Sequence, residues 1–132
     1  MNEFNIKIPS IIDNLRIVES FIDNARDNYN ISDDLYGNIM IAVTESVTNA
    51  IIHGNKQERE KNVHLSIEAL ENQIAFEIRD EGTGFDYLNL PDPTSPENLT
   101  KPGGRGIFLI SNLCDKYKFD QTGSCIKLYF NV

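Results

Sequence analysis

Apolar and polar residues alternate at three places along the chain. Phe4, Ile6 and Ile8 alternate up to Pro9, which predicts a short first strand. Val63, Leu65, Ile67 and Ala69 alternate again, and so do Ile74, Phe76 and Ile78 after Glu71-Asn72. That pair predicts an antiparallel hairpin with one buried face. Between these regions the period changes to that of a helix. Ile11, Leu15, Val18, Ile22 and Ala25 follow Ser10, which has the chemistry of an N-cap with Asp13 three residues on. This first helix should fade by residues 28 to 30. Ser32 is a second N-cap, and Asp33 and Asp34 suit the positive end of a helix dipole. Leu35, Ile39, Ala42, Val43, Ser46, Val47 and Ala50 then form one face of a helix stopped by Gly54. A third helix is predicted from about Gly106 to Tyr117, with Ile107, Ile110, Leu113 and Cys114 inward. A last hairpin should pair 117–120 with 125–130 across Gln-Thr-Gly-Ser.

The resulting order is β-α-α-β-β-loop-α-β-β. Strands outnumber helices and come largely as hairpins. The expected fold class is α+β, a two-layer α/β sandwich whose mixed, mostly antiparallel sheet carries helices on one face. A doubly wound parallel fold is disfavoured. The chain of 132 residues fits one domain, 1–132, able to bury a core without disulfides. Its 40 % hydrophobic and 24 % charged residues are an ordinary soluble balance. No run of about 18 apolar residues is present, so no membrane span is expected, and the N-terminus lacks a signal-peptide layout. Two cysteines without metal-ligand spacing read as free thiols in a reducing cytoplasm. The net charge of −8 argues against nucleic acid, whose binders carry a basic face. It fits solubility and a basic patch on a protein partner.

Three stretches carry chemistry. In Glu45-Ser-Val-Thr-Asn49-Ala-Ile-Ile-His53-Gly54, Glu45 and Asn49 are four apart on one helix face and His53 extends the row. As structure, this is a solvated polar stripe. As a site wall, the carboxylate accepts a proton and the amide oxygen is a hard ligand for Mg²⁺. Asp80-Glu-Gly82-Thr-Gly84-Phe85 ends a strand. It is either a tight turn or an acceptor for the exocyclic amine of a base, with glycines that let a flat ring approach the backbone. Gly103-Gly104-Arg105-Gly106-Ile107 opens an apolar helix. It is either a flexible loop or a phosphate seat of bare N–H groups and helix dipole, with Arg105 adding charge. It matches neither a Walker A loop nor the dinucleotide glycine pattern. The stretch from Leu88 to Gly103, with Pro91, Pro93, Pro96 and Pro102, is long for an internal loop and fits a lid over 86–105.

In this order and spacing the three stretches resemble the N, G1 and G2 boxes of the GHKL ATP-binding fold, whose members include gyrase, Hsp90, histidine-kinase ATPase domains and MutL. More narrowly, the Glu45–Gly54 stretch is similar to anti-sigma-factor serine kinases of the RsbW and SpoIIAB type. The resemblance spans nearly the whole chain. It implies that Glu45 is the general base and that Asn49 is the Mg²⁺ ligand. It implies that Asp80 reads adenine, with Gly82 and Gly84 lining the base pocket. Gly104 and Gly106 lie at the phosphates with Arg105 between them, and Ser124 stands in the place of the family's Gly-Thr motif. His53, Phe85, Gly103 and Ile107 complete the implied ATP-binding set. The implied activity is an ATP-dependent protein-serine kinase acting on a STAS-domain anti-anti-sigma protein and binding a sigma factor or similar regulator. A homodimer, ATP and Mg²⁺ as cofactors, and a cytoplasmic location are also implied. Two other readings stand beside it: a non-catalytic ATP-dependent partner-binding module, and a histidine-kinase-like ATPase domain.

Overall fold

The computed structural model describes residues 3–82 and 104–132, with residues 3 and 104–108 described in backbone only. Strand β1 (Glu3–Pro9) leads through a 3-10 turn (Ile12–Asn14) to α1 (Leu15–Asn28) and α2 (Asp33–Asn49). Helix α2 ends in a π-helical turn (Ala50–Gly54). The hairpin β2 (Asn62–Leu70) and β3 (Gln73–Arg79) follows, then α3 (Gly104–Leu113), β4 (Lys116–Phe119) and β5 (Cys125–Asn131).

The strands lie in one sheet in the order β1-β2-β3-β5-β4. Every pairing in it is antiparallel, so the mixed sheet expected from sequence is a purely antiparallel one. Two helices separate β1 from β2, an even number of passes, so β2 returns beside β1 in the opposite direction. The last hairpin places β5, not β4, against β3.

Alternation decides which face is buried. Ile67 stands opposite Phe4 on one side and Phe76 on the other, and Phe76 stands opposite Leu128. Val63, Leu65, Ile67, Ile74, Phe76, Ile78, Ile126, Leu128 and Phe130 are all buried under the helices. Phe76 and Phe130 meet edge to face, with centroids 5.9 Å apart and planes at 87°. Such a pair contributes about 0.5–1.5 kcal/mol beyond its buried area. Helix α2 is central in the helical layer, packing on α1, on α3, and on β3 and β5 beneath. Its Ile39, Ala42, Val43 and Val47 are fully buried. The two-layer α+β fold is therefore as expected. Among the described residues no helix is long and apolar enough to cross a membrane.

Ser32 caps α2 as expected, its Oγ accepting the Leu35 N–H at 3.3 Å. Ser10 does not cap α1. It is buried, and its Oγ donates to the Lys61 carbonyl at 2.6 Å and accepts from Asn55 Nδ2 at 2.8 Å. The chain instead enters the 3-10 turn behind Ile11, without a side-chain cap. Helix α3 also stops earlier than expected. Tyr117 belongs to β4, opposite Leu128, and the Asp115 N–H donates to the Tyr129 carbonyl at 2.9 Å.

Candidate functional site

Strand β3 delivers Asp80 to the edge of the helical layer. Its N–H donates to the Ser124 carbonyl at 2.8 Å, continuing the ladder past the Arg79–Cys125 pair. Its side chain folds back, Oδ1 accepting the Gly82 N–H at 2.8 Å. This is the local bond that makes Asp a turn former. Asp80 is half-buried, and burial pushes its carboxyl above the ordinary range; the Gly82 N–H opposes that rise, and the Asp120 carboxylate adds to it. Among the described residues Oδ2 has no hydrogen-bond donor. A half-buried carboxylate with one oxygen bonded and one open is an acceptor awaiting a donor.

The end of α2 meets this carboxylate directly. A Cβ on Gly54 would lie 2.2 Å from Asp80 Oδ2, and one on Gly82 would lie 2.0 Å from the Gly54 carbonyl oxygen. Both glycines are thus required by close approach. The π-helical turn sets this contact, closed by the Asn55 N–H donating to the Ala50 carbonyl at 2.8 Å, five residues back. Such turns occur mostly as single-turn bulges at functional sites. His53 lies within it and is exposed, so the regular four-residue row through Glu45 and Asn49 does not continue to His53.

Glu45 and Asn49 occupy the last turns of α2 and are half-buried. Among the described residues neither side chain makes a hydrogen bond. They flank Ser46, which is buried and bonded within the helix to the Ala42 carbonyl at 2.8 Å. Ser124, expected at the adenine side, adjoins Asp80 through its carbonyl. Its Oγ is 2.7 Å from Thr122 Oγ1. Gly123 before it has φ 79°, a left-handed conformation that favours glycine, and its N–H donates to Asp120 Oδ1 at 2.8 Å.

Helix α3 begins at Gly104 and packs on α2, so the first turn holding Gly104, Arg105, Gly106 and Ile107 is a helix N-terminus beside the Glu45–Asn49 helix. Gly84, Phe85, Gly103 and most of the expected lid over 86–105 lie outside the described residues. Sequence reasoning missed Asn55, which is fully buried and accepts the Glu81 N–H at 2.7 Å. Beyond it, His64 Nε2 and Glu81 Oε2 lie 2.8 Å apart, a contact that holds the Glu81 carboxyl below its ordinary range. Cys114 and Cys125 are free thiols, and burial pushes Cys125 up to about 12, with the Glu77 carboxylate adding to the rise. A thiol so protonated at neutral pH is packing, not a nucleophile.

A profile of the histidine kinase-like ATPase domain matches residues 8–130. The anti-sigma F factor of Bacillus licheniformis is 30 % identical over 125 residues, covering 92 % of this chain and 84 % of that protein. The anti-sigma F factor of Bacillus subtilis is 34 % identical over 97 residues, 68 % of this chain and 65 % of that protein. The serine-protein kinase RsbW of Staphylococcus aureus is 34 % identical over 96 residues, 67 % of this chain and 60 % of that protein. The aligned part thus spans just under two thirds of the last two. In fold, the chain is similar to a crystal structure of RsbU and RsbW domains from Mycobacterium tuberculosis, with a TM-score of 0.67 and 14 % identity. That match covers 99 % of this chain and 32 % of the other.

Proposed function

The chain belongs to the histidine kinase-like ATPase domain family, and from that premise we propose that it is an ATP-dependent protein-serine kinase of the anti-sigma-factor type. The observation that carries this reading is the seat of Asp80: a half-buried carboxylate with an oxygen to which none of the described residues donates, held against the end of α2. The exocyclic amine of adenine supplies the missing donor. Gly82, Gly84 and Phe85 line the base, and Ser124 contacts its far side. The N–H groups opening α3 would seat the phosphates, as helix N-termini do in anion sites, with Arg105 contributing charge. By the same reading Gly103, Gly106 and Ile107 belong to the phosphate-binding set, His53 to the rim of the site, and 86–105 is the expected lid.

Asn49 offers the amide oxygen suited to Mg²⁺, which would neutralise phosphate charge when bound. Glu45, one helical turn away, accepts the proton of a serine hydroxyl. The serine oxygen then bonds the γ-phosphorus as the bond to the β-phosphate oxygen breaks, and ADP departs. Positioning and charge neutralisation supply most of the acceleration in such transfers. The serine belongs to a STAS-domain anti-anti-sigma protein, and a sigma factor or similar regulator is the alternative partner. A cytoplasmic location and a homodimeric state, as the family resemblance implies, complete the proposal.

The test is to incubate the protein with Mg-ATP and candidate STAS partners and to assay phosphoserine by mass spectrometry. Transfer is expected, and Glu45→Ala should bind ATP normally while losing it. Tight ATP binding without transfer to any partner overturns the kinase reading in favour of a binding module. Equal transfer by Glu45→Ala removes Glu45 as base.

A further inference from the structure

Asn55 is the most completely bonded side chain near Asp80. It has no exposed surface. Its Nδ2 donates to Ser10 Oγ at 2.8 Å and to the Asn62 carbonyl at 3.0 Å, and its Oδ1 accepts the Glu81 N–H at 2.7 Å. Its backbone is also tied, the N–H to Ala50 and the carbonyl accepting the Glu58 N–H at 3.0 Å. One residue thus joins the end of β1, the start of β2 and the end of α2 to the turn that follows Asp80. Gly54, beside it, leaves room for the carboxylate on the other side. Its absent side chain leaves the space in which Asp80 Oδ2 lies.

We infer that Gly54 and Asn55 are positioning residues that set the enzyme's preference for an amino-purine, by holding the Asp80 carboxylate where the base's amine meets it. The inference rests on the reading of Asp80 as the adenine acceptor. Gly54 blocks rotation in no direction; it permits one rotamer that any larger residue forbids. Asn55 holds the Glu81 amide and through it the turn whose Gly82 N–H binds Asp80 Oδ1. A buried hydrogen bond placed this way discriminates between ligands because the wrong ligand leaves a polar group unpaired.

Dissociation constants are measured for ATP and for purine riboside triphosphate, which lacks the exocyclic amine, in the native protein and in Gly54→Ala, Asn55→Ala and Asp80→Ala. The native protein should prefer ATP by about tenfold or more, the scale of one hydrogen bond to a charged group. In Gly54→Ala and Asn55→Ala that ratio should fall towards one, with the affinity for purine riboside triphosphate kept within about threefold, because phosphate contacts are untouched. Gly54 does not have positive φ, so alanine there strains no backbone dihedral, and the atoms its Cβ would meet first are Asp80 Oδ2, Cγ and Cβ at 2.2, 2.4 and 2.9 Å. That variant decides the matter if Asn55→Ala fails to fold. A merely structural role would lower the melting temperature and leave the ratio unchanged. Loss of the preference in Asp80→Ala with its retention in both other variants overturns the inference and leaves the adenine reading intact. Retention of the preference in Asp80→Ala overturns both.

Discussion

Replacing Asp80 by asparagine separates two effects that the native residue combines. Burial raises the Asp80 carboxyl above its ordinary value, so the folded protein keeps that proton to higher pH than the unfolded chain does. Between the unfolded and folded values the native state binds more protons, and stability therefore falls as the pH rises through that window. Above that window the full cost is present. Asparagine carries no such cost and keeps an oxygen for the Gly82 N–H. Asp80→Asn is expected to raise the melting temperature of the nucleotide-free protein at pH 7, with a smaller gain well below pH ~4, where the Asp80 carboxyl is protonated in the folded and the unfolded chain. The same change puts an amide NH₂ where an acceptor is needed. ATP affinity should fall by about 1–3 kcal/mol, a factor of roughly 5–150. Calorimetric titration and thermal scans at two pH values check both, and unchanged affinity counts against the adenine contact. The Asp80 turn was legible because Asp-x-Gly-x-Gly at a strand end is a local pattern. Asn55 was not. An Asn after a Gly reads as one more turn former, and its burial depends on Ser10, 45 residues away. No local spacing encodes that contact.

At the scale of elements, patterns with their own period were legible and boundaries set by partners were not. The two N-cap signals make the contrast plain. Ser32 and Ser10 precede similar apolar periods, yet only Ser32 caps its helix. Ser10 bonds instead to Lys61 and Asn55, because β1 brings it beside the start of β2. Likewise the end of α3 was overrun, since Tyr117 fits a helical inner face as well as it fits a strand opposite Leu128. Pairing decided it. The cap at Ser32 lies at the far end of α2 from Glu45 and Asn49, which isolates its effect. Ser32→Ala should lower stability by about 1 kcal/mol, the usual value of an N-cap, while leaving ATP affinity unchanged. Denaturant melts read the first quantity and nucleotide titration the second. A loss of affinity would mean that fraying at the start of α2 reaches the Glu45–Asn49 end.

At the scale of the molecule, the two-layer α+β class was legible, but neither the purely antiparallel pairing nor the strand order was, because alternation fixes which face is buried and says nothing of which strand lies beside which. The order matters for function. Placing β5 between β3 and β4 brings Ser124 against Asp80. The Asp80 seat consequently draws on the ends of β1, α2, β2, β3 and β5, so a nucleotide held there, as proposed, would couple to nearly every element of the core. Ligand that binds only the folded state stabilises it by mass action, about 2.7 kcal/mol at a hundredfold excess over Kd. For a chain of this size that is a rise of roughly 10 °C in melting temperature with saturating Mg-ATP. Its distribution is the sharper test. If the seat is coupled as its bonds require, Mg-ATP should slow amide exchange in the centres of β2 and β3 as much as at Glu81, because those amides exchange through the same global opening. Slowing confined to the Asp80 turn, with the sheet centre unchanged, would show a site that orders locally on a core indifferent to it.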